Sequence, residues 1–374
     1  MKVVFSSNTA WYLYNFRKGT IKRFIEKEYE VVIIAPTDKY SYLLKELGCK
    51  INHLYIRSNS LNPVHDSVTL VHLLSLYIKI KPDIIYNFTP KINIYSSLVS
   101  YFFPRVKVIN NIAGLGTAFI NEGMKKIFLT YLYKLSQKRA DFVFFQNNED
   151  HNYFVKEKIV CESKSKRILG SGVNLDFFKP TKINKEDHIK FLLVARLIEQ
   201  KGIRLYAEAA KIIKEKYPHV EFSLLGPIIS NNPFAIHEKE IKNWEDLGTL
   251  NYLGHSDNVA EVLIDYDCVV LPSFYREGVP KSLLEAAASG KIIITTDNIG
   301  CRDAVIDGVT GFLCKPKSLE SLLEAFYKVL QLDYDSFVKM KIGARELAKA
   351  KFDENIIIEE YLKTASNLKS ILTL

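Results

Sequence analysis

The sequence has few of the features that mark disulfide-rich, metal-binding or membrane-spanning proteins. Its 374 residues include five cysteines, which are scattered without a CxxC pair or a Cys/His metal spacing, and an odd number argues against a disulfide framework. No apolar run approaches the roughly 20 residues that span a bilayer, and Val3-Val4-Phe5 is too short for the core of a signal peptide. We therefore expect a cytoplasmic protein without a metal, whose membrane contact, if it has one, is peripheral.

Charge is distributed unevenly along a chain of otherwise ordinary globular composition. Residues 1–180 contain 26 Lys and Arg against 14 Asp and Glu, whereas the remainder contains 25 against 28. The amino-terminal half is therefore strongly basic and the rest slightly acidic. Such asymmetry predicts an anionic partner for the first half, either a membrane surface or a nucleic acid.

Short β-branched runs alternate with amphipathic segments, first from Lys2 and again from Ile189, which predicts an α/β protein with two parallel-sheet domains. The segment Asn174–His188 has a proline, mixed charges and no periodicity, so it is the predicted linker. We place a first domain at 1–178, a second at 179–352, and a final helix at 353–374. Residues 156–167 are predicted to be a charged surface stretch.

The most informative stretch of the sequence, PSFYREGVPKSLLEAAASG from Pro272 to Gly290, predicts the end of a buried strand, a loop and a helix. Glu277 lies in the loop and Glu285 eight residues later, about 12 Å of helical rise. Glycosidase carboxylates lie about 5–9.5 Å apart, so this pair predicts two separate binding roles. The loop residues Gly278, Val279 and Pro280 keep the backbone close and stiff, and the helix start near Lys281 and Ser282 suits a diphosphate.

Other candidates lie where parallel strands end, the edge at which such sheets bind ligands. Arg196 and Lys201 follow one strand and suit phosphate oxygens, although a surface salt bridge is the alternative. The first loop lacks a GxGxxG fingerprint, so no dinucleotide cofactor is expected. The remaining edge candidates are Asn8 and Thr9, which could instead cap a helix, Lys91, which could simply be solvated, the glycines Gly114 and Gly116, and Gly226.

Two further patterns concern metal and membrane. Asp265-Tyr266-Asp267 has the letters of a DxD metal motif but leads into the amino end of a strand, opposite the ligand edge, so no metal is assigned to it. Met124–Arg139 is amphipathic, with apolar residues on one stripe and lysines around it. This pattern is typical either of a helix at a membrane interface or of a helix that packs on the core.

The Glu277/Glu285 segment resembles the Glu-x7-Glu signature of the family-four retaining glycosyltransferases, and VARLIEQKGI, NNIAGLGTAF and Thr310-Gly311-Phe312 extend the resemblance over most of the chain. The resemblance implies the GT-B architecture, with two Rossmann-like domains facing across a cleft. The second domain would bind a UDP-sugar donor and the first an acceptor. Within the family the chain looks closest to bacterial enzymes acting on polyprenyl-diphosphate-linked saccharides.

The resemblance also implies roles for the candidate residues. Arg196 and Lys201 would bind the leaving diphosphate, Glu277 would orient the donor sugar, and Glu285 would hold the ribose. The donor site would further include Gly278, Val279, Pro280, Ser282 and Gly226, and the acceptor or diphosphate loops would include Asn8, Thr9, Gly114, Gly116 and Lys91. Lys91 is a candidate because Phe88-Thr89-Pro90-Lys91 lacks the His that related enzymes often have there.

These expectations describe a retaining, metal-independent hexosyltransferase that needs no cofactor. It would move a hexose or N-acetylhexosamine to a lipid-linked acceptor at the inner face of the cell membrane during surface polysaccharide or glycan assembly. Two alternatives stay open. A UDP-sugar epimerase of the same fold would leave the basic first half unexplained, and a nucleic-acid-binding protein would lack a recognisable binding motif.

Overall fold

The structure, a computed structural model, describes residues 1–57, 62–115, 123–181, 188–229 and 232–370, and only the backbone of Met124, Lys125 and Ser370. The chain divides into two compact units. The first unit comprises Met1–Ser171 together with Glu354–Leu374, and the second comprises Gly172–Asp353. The division near residue 172 therefore precedes the predicted linker.

Each unit is built on one parallel sheet. The first sheet has seven strands in the order β3-β2-β1-β4-β5-β6-β7, and the second has six in the order β10-β9-β8-β11-β12-β13. The strands of the first sheet are β1 (Lys2–Ser6), β2 (Glu30–Ala35), β3 (Lys50–His53), β4 (Ile84–Phe88), β5 (Lys107–Ile112), β6 (Phe142–Phe145) and β7 (Ser165–Arg167). Those of the second are β8 (Lys190–Val194), β9 (Glu221–Leu225), β10 (Asn251–Tyr252), β11 (Cys268–Leu271), β12 (Ile292–Thr296) and β13 (Gly311–Cys314).

Helices follow most of the strands, as parallel pairing requires. In chain order they are α1 (Ala10–Glu26), α2 (Lys39–Glu46), α3 (Pro63–Ile80), α4 (Pro90–Val99), α5 (Met124–Gln137), α6 (Asn148–Lys156), α7 (Ile203–Lys216), α8 (Glu238–Asp246), α9 (Val259–Ile264), α10 (Lys281–Ala288), α11 (Leu319–Leu330), α12 (Tyr334–Leu347) and α13 (Glu354–Ser370). A π-helical turn, Ala348–Phe352, follows α12.

Alternate residues of the central strands enter two separate apolar cores on the two faces of the first sheet. Val3 and Phe5 pack with α1 and α13, whereas Val4 packs with α3 and α4. This alternation follows from the two-residue period of a strand, and it explains why strands buried on both faces are apolar throughout. The carboxyl-terminal helix α13 thus belongs to the core of the first unit, where Tyr361 is fully buried.

Some elements differ from the sequence-based prediction. The segment 156–167 is not only a charged surface stretch, because Ser165–Arg167 forms the edge strand β7 and pairs in parallel with β6. Its side chains are polar because an edge strand is held by backbone hydrogen bonds and needs little burial. The helix α8 was not predicted either, since Ile241 is its one buried residue.

Candidate active site

The candidate site in the second unit lies at the carboxyl edge of its sheet. The strand β8 is the neighbour of both β9 and β11, and all three run in parallel. Their following loops therefore leave the sheet on the same side. These loops carry Arg196 and Lys201 after β8, Gly226 after β9, and Glu277 after β11.

Lys201 and Glu277 form a direct ion pair through Nζ and Oε1, although 76 residues separate them. Both side chains are nearly buried, with 10% and 13% of their surface exposed. Lys201 ends a short 3-10 turn, Glu199–Lys201, and its ammonium also lies 5.7 Å from the centre of the Tyr275 ring. The pair fixes the ammonium at the sheet edge and is the one hydrogen bond of Lys201 Nζ among the described residues, so two N–H groups remain for ligand oxygens.

The loop that carries Glu277 is tied to the neighbouring loops by polar contacts. Ser273 Oγ lies 3.2 Å from Glu277 Oε1 and 3.1 Å from the carbonyl oxygen of Gln200. From the next strand and its loop, Thr296 Oγ1 donates to the carbonyl of Ser273, and Asn298 Nδ2 donates to that of Tyr275 at 2.9 Å. These contacts hold Glu277 in place before a substrate arrives.

Two glycines allow the backbone segments of this edge to touch. Gly226, with φ +151°, lies against the carbonyl of Ala195, and an added Cβ would stand 1.7 Å from that oxygen. Gly300, with φ +78°, lies against Gly278 in the same way, at 1.6 Å. A larger residue at either position would push the loops apart. Gly226 therefore has a packing role that explains its identity whether or not it contacts the donor.

Arg196 is exposed, and its guanidinium makes no hydrogen bond or ion pair with any residue that the structure describes. The salt bridge considered from sequence is therefore absent for Arg196 among those residues, whereas Lys201 does form an ion pair, with the nearly buried Glu277. An exposed guanidinium at a strand end suits phosphate oxygens, since its fork of N–H groups binds them in pairs.

The helix α10 begins at the same edge. The carbonyl of Pro280 accepts the N–H groups of Leu283 and Leu284, whereas the N–H of Ser282 has no partner in the described part of the chain. Val279 and Pro280 are buried, so the loop enters the helix along a fixed path. The helix start thus offers N–H donors and the positive end of a helix dipole to an anion.

Glu285 lies one turn into α10 and is buried, with its carboxylate 3.8 Å from Lys281 Nζ. Burial raises the pKa of the Glu285 carboxyl above its ordinary value, and the Lys281 ammonium opposes that shift. A carboxylate whose pKa is raised by burial, at the edge of the sheet where ligands bind, is a candidate ligand contact, because a ligand that donates hydrogen bonds to it offsets the cost of ionisation.

The candidates in the first unit have identified partners. Thr9 Oγ1 accepts the N–H of Tyr12 at 3.1 Å, so Thr9 caps α1, the alternative left open from sequence. The N–H of Asn8 donates to Thr89 Oγ1 at 3.3 Å. Lys91 donates to Asp66 at 2.8 Å and to the carbonyl of Arg57 at 2.9 Å, so it is not simply solvated.

The loop after β5 is described only at its beginning. Gly114 has φ +126°, and the following N–H, that of Leu115, donates to the buried carboxylate of Asp150 at 3.0 Å. Gly116 lies outside the described residues. The DxD-like segment has a structural role: Asp267 accepts from Lys341 Nζ at 3.0 Å and from the backbone N–H of Lys190 at 3.2 Å.

Sequence reasoning missed the residues that support the site. Ser273 and Tyr275 stand inside the informative stretch, but a serine and a tyrosine in a loop have no pattern that marks them. Asn298 and Gly300 belong to NIGC after β12, where a glycine following a strand is a weak signal. Their contacts join segments far apart in the chain, which one sequence does not reveal.

The first unit also exposes an apolar patch, defined by Tyr101, Phe102, Ile127, Phe128, Tyr131 and Leu135. Phe102 is 73% exposed and Ile127 71%. Tyr101 Oη donates to the carbonyl of Leu135 at 3.0 Å, which joins the segment after α4 to the end of α5. Tyr133, on the opposite side of α5, is buried in the core, so α5 has one core face and one exposed apolar face. None of the helices in the described residues combines the length and apolarity needed to cross a membrane.

Residues 176–347 match the family described as Glycosyl transferases group 1, and residues 2–147 match Glycosyl transferase 4-like. The chain is 30% identical to the N,N'-diacetylbacillosaminyl-diphospho-undecaprenol alpha-1,3-N-acetylgalactosaminyltransferase of Campylobacter jejuni, over 97% of this chain and 98% of that protein. It is 26% identical to the UDP-Gal:alpha-D-GlcNAc-diphosphoundecaprenol alpha-1,3-galactosyltransferase of Escherichia coli, over 71% of each chain. The chain therefore belongs to the glycosyltransferase family that these two descriptions define for its two halves.

The solved structures agree on the fold. HepE of Anabaena, in complex with UDP and glucose, superposes with a TM-score of 0.79 at 16% identity, covering 98% of this chain and all of that one. A glycosyltransferase of Rickettsia africae gives a TM-score of 0.76 at 18% identity, covering 98% of each chain. The predicted GT-B fold, with two Rossmann-like domains, is confirmed.

Proposed function

We propose that the protein transfers a hexose or N-acetylhexosamine from a UDP-sugar to a polyprenyl-diphosphate-linked saccharide, with retention of configuration. One observation carries the proposal. The fixed Lys201 ammonium, the exposed Arg196 and the start of α10 lie at the carboxyl edge of the second sheet, and all three suit a diphosphate. The names of the Campylobacter and Escherichia relatives specify diphospho-undecaprenol saccharides and alpha linkages, which supports the acceptor class and retention.

In this proposal the charges are used as the sugar–phosphate bond breaks. Lys201 and Arg196 stabilise the negative charge that develops on the leaving diphosphate, an effect worth about 10²–10³ in rate for each such contact. Glu277, held by Lys201 and Ser273, orients the donor sugar, and Glu285 accepts hydrogen bonds from the ribose hydroxyls. The leaving phosphate takes the proton of the acceptor hydroxyl. The acceptor therefore attacks from the same face of the sugar that the phosphate leaves, which retains the configuration.

Catalysis of this kind does not require a metal, because side chains supply the positive charge. Asp267 is already neutralised by Lys341, which leaves the DxD-like segment poorly suited to hold a divalent cation. Turnover should persist in excess EDTA. A fall to background that Mg²⁺ or Mn²⁺ restores would contradict this part of the proposal.

We also propose that the first unit binds the acceptor and contacts an anionic membrane surface at the inner face of the cell membrane. The apolar patch supports this, because Tyr101 and Tyr131 offer amphipathic rings of the kind found at headgroup depth and Arg105 and Lys138 are exposed nearby in the chain.

Release of UDP tests the function. Purified protein is mixed with UDP-glucose, UDP-galactose, UDP-GlcNAc or UDP-GalNAc, each with and without a polyprenyl-diphosphate-linked saccharide. We expect UDP release from one of these donors to increase at least a hundredfold when the acceptor is present. Conversion of the UDP-sugar to another UDP-sugar without an acceptor would instead identify an epimerase.

A further inference from the structure

Arg17, in the second turn of α1, is a buried cation without a carboxylate partner among the described residues. Its side chain is 1% exposed. Nη2 donates to the hydroxyl of Tyr12 at 3.3 Å, whereas Nε and Nη1 have no hydrogen-bond partner in the described part of the chain. Buried charges are normally paired, since an uncompensated cation in the interior is costly.

Three aromatic rings surround this guanidinium and offset part of the cost. Its Cζ lies 4.6 Å from the centre of the Phe88 ring, 5.5 Å from that of Tyr361 and 5.9 Å from that of Tyr12. Such contacts attract the charge, but they leave Nε and Nη1 without a hydrogen-bond acceptor among the described residues. Phe88 and Tyr361 are fully buried, and Tyr12 is the one ring of the three that is half-buried.

A second unpaired donor stands beside the same rings. Asn111 pairs with Phe88 across β4 and β5, near the carboxyl end of both strands. Its Oδ1 accepts the hydroxyl of Tyr361 at 2.7 Å, which orients the amide, and its buried Nδ2 has no partner among the described residues. Arg17 and Asn111 therefore present unfilled N–H groups around one tyrosine, at the edge of the sheet where ligands bind.

We propose that Arg17 and Asn111 form an oxyanion subsite in the first unit that takes a phosphate-class group. The cluster is made of donors around a fixed positive charge, which suits a group with several acceptor oxygens and negative charge. A neutral water would accept fewer hydrogen bonds and leave the charge uncompensated. A ligand would enter by rotation of Tyr12, the half-buried member of the cage.

Two sources can supply this chemistry, a free phosphate or diphosphate and the diphosphate of a lipid-linked acceptor. The second source rests on the proposed function, whereas the binding of the anion does not. Inorganic pyrophosphate and farnesyl diphosphate serve as the two probes. Tighter binding of farnesyl diphosphate assigns the subsite to the lipid-linked source, and equal binding assigns it to the free anion.

The test is calorimetric titration of pyrophosphate and farnesyl diphosphate into proteins that carry Arg196→Ala, a change that should weaken diphosphate binding in the second unit. In this background Arg17→Met is compared with Lys18→Met, which removes the same charge from an exposed position on the same helix. Arg17→Met should weaken binding of both probes about ten- to a hundredfold, the value of a lost charged hydrogen bond. Lys18→Met should bind as the background does.

Equal affinities in Arg17→Met and Lys18→Met would overturn the proposal and leave Arg17 a structural cation. Thermal stability separates the two roles further, because Arg17→Met removes an unpaired buried charge and should not lower Tm if the cation serves a ligand. Asn111→Asp supplies a fixed carboxylate beside the Tyr361 hydroxyl and keeps the fold testable if Arg17→Met fails to fold. It should lose binding of both probes, and unchanged affinity in Asn111→Asp would equally overturn the subsite.

Discussion

The ammonium of Lys201 and the carboxylate of Glu277 form a nearly buried ion pair that joins the loop after β8 to the loop after β11. Removing one partner leaves the other charge without compensation, which typically costs about 3–5 kcal/mol of unfolding free energy. The pair therefore contributes to folding as well as to the site. Its two roles can be separated because they respond differently to single and double substitution.

Lys201→Met and Glu277→Gln should each destabilise the second unit, and the double variant should be less destabilised than the sum of the two. All three should lose at least 10²-fold in turnover, because the diphosphate and donor sugar lose their contacts. Urea unfolding of the four proteins measures the coupling. If the losses of unfolding free energy in the two single variants sum to the loss in the double variant within about 0.5 kcal/mol, the pair does not interact in solution.

Arg196→Ala should separate catalysis from folding. The side chain is exposed and has no partner among the described residues, so the unfolding free energy should change by less than about 0.5 kcal/mol. Turnover should fall about 10²–10³-fold, and Arg196→Lys should recover part of it because a point charge replaces the fork. Lys211→Ala, on the exposed side of α7, is the control and should leave turnover unchanged. Near-normal turnover in Arg196→Ala would remove this residue from diphosphate binding.

Glu285→Gln should gain stability and lose donor binding. Burial raises the pKa of this carboxyl, so the folded state holds the proton more tightly, and the stability cost of ionisation grows as pH rises from the ordinary pKa through the raised one. The amide removes that cost, and Tm should therefore rise at pH 8 but not at pH 4. The KM for the donor should rise at least tenfold because a ribose hydroxyl loses its charged acceptor.

The exposed Glu324→Gln on α11 is the control for Glu285→Gln. It should show neither the gain in Tm nor the change in KM. A lower Tm in Glu285→Gln at pH 8 would show that the Lys281 ion pair, not burial, determines the energetics of this carboxylate.

The apolar patch should bind anionic vesicles. Its exposed apolar side chains can insert into the membrane surface, and nearby lysines are attracted to anionic headgroups, so both contribute to the binding free energy. The protein should pellet with anionic vesicles at low salt, less with neutral ones, and less at high salt, which screens the attraction. Replacing Phe102, Ile127 and Phe128 by Ser should weaken binding, as should replacing Lys125, Lys126, Lys134 and Lys138 by Gln.

The matched control for vesicle binding replaces Val64, Val68 and Val71 by Ser, exposed apolar residues on α3. It should pellet as the parent does. If both patch variants also pellet as the parent, the patch is not the membrane contact.

Much of the fold could be predicted from local pattern. Clear apolar stripes predict helices at Ile203–Lys216 and Leu319–Leu330, and α7 and α11 begin and end at those residues. The strand β7 and the helix α8 could not be predicted, since Ser165–Arg167 is held by its backbone and α8 buries only Ile241. Elements that bury few apolar side chains show no clear apolar periodicity in the sequence.

The candidate site could be predicted as a set of residues but not as a set of contacts. The family signature pointed to Lys201 and Glu277 separately, and nothing in the sequence indicated that they pair. Arg17 was missed altogether, because an arginine in an amphipathic helix is ordinarily solvated. Its burial results from Phe88 and Tyr361, which come from distant parts of the chain.

The most direct test of the account is the structure of the product made from the UDP-sugar that the protein uses and a lipid-linked saccharide acceptor. The anomeric configuration of the new linkage can be read by proton NMR from its coupling constant. We predict a single alpha-linked sugar on the acceptor, formed by the parent protein and lost in Lys201→Met. A beta linkage, or a product formed equally by Lys201→Met, would contradict retaining transfer at this site.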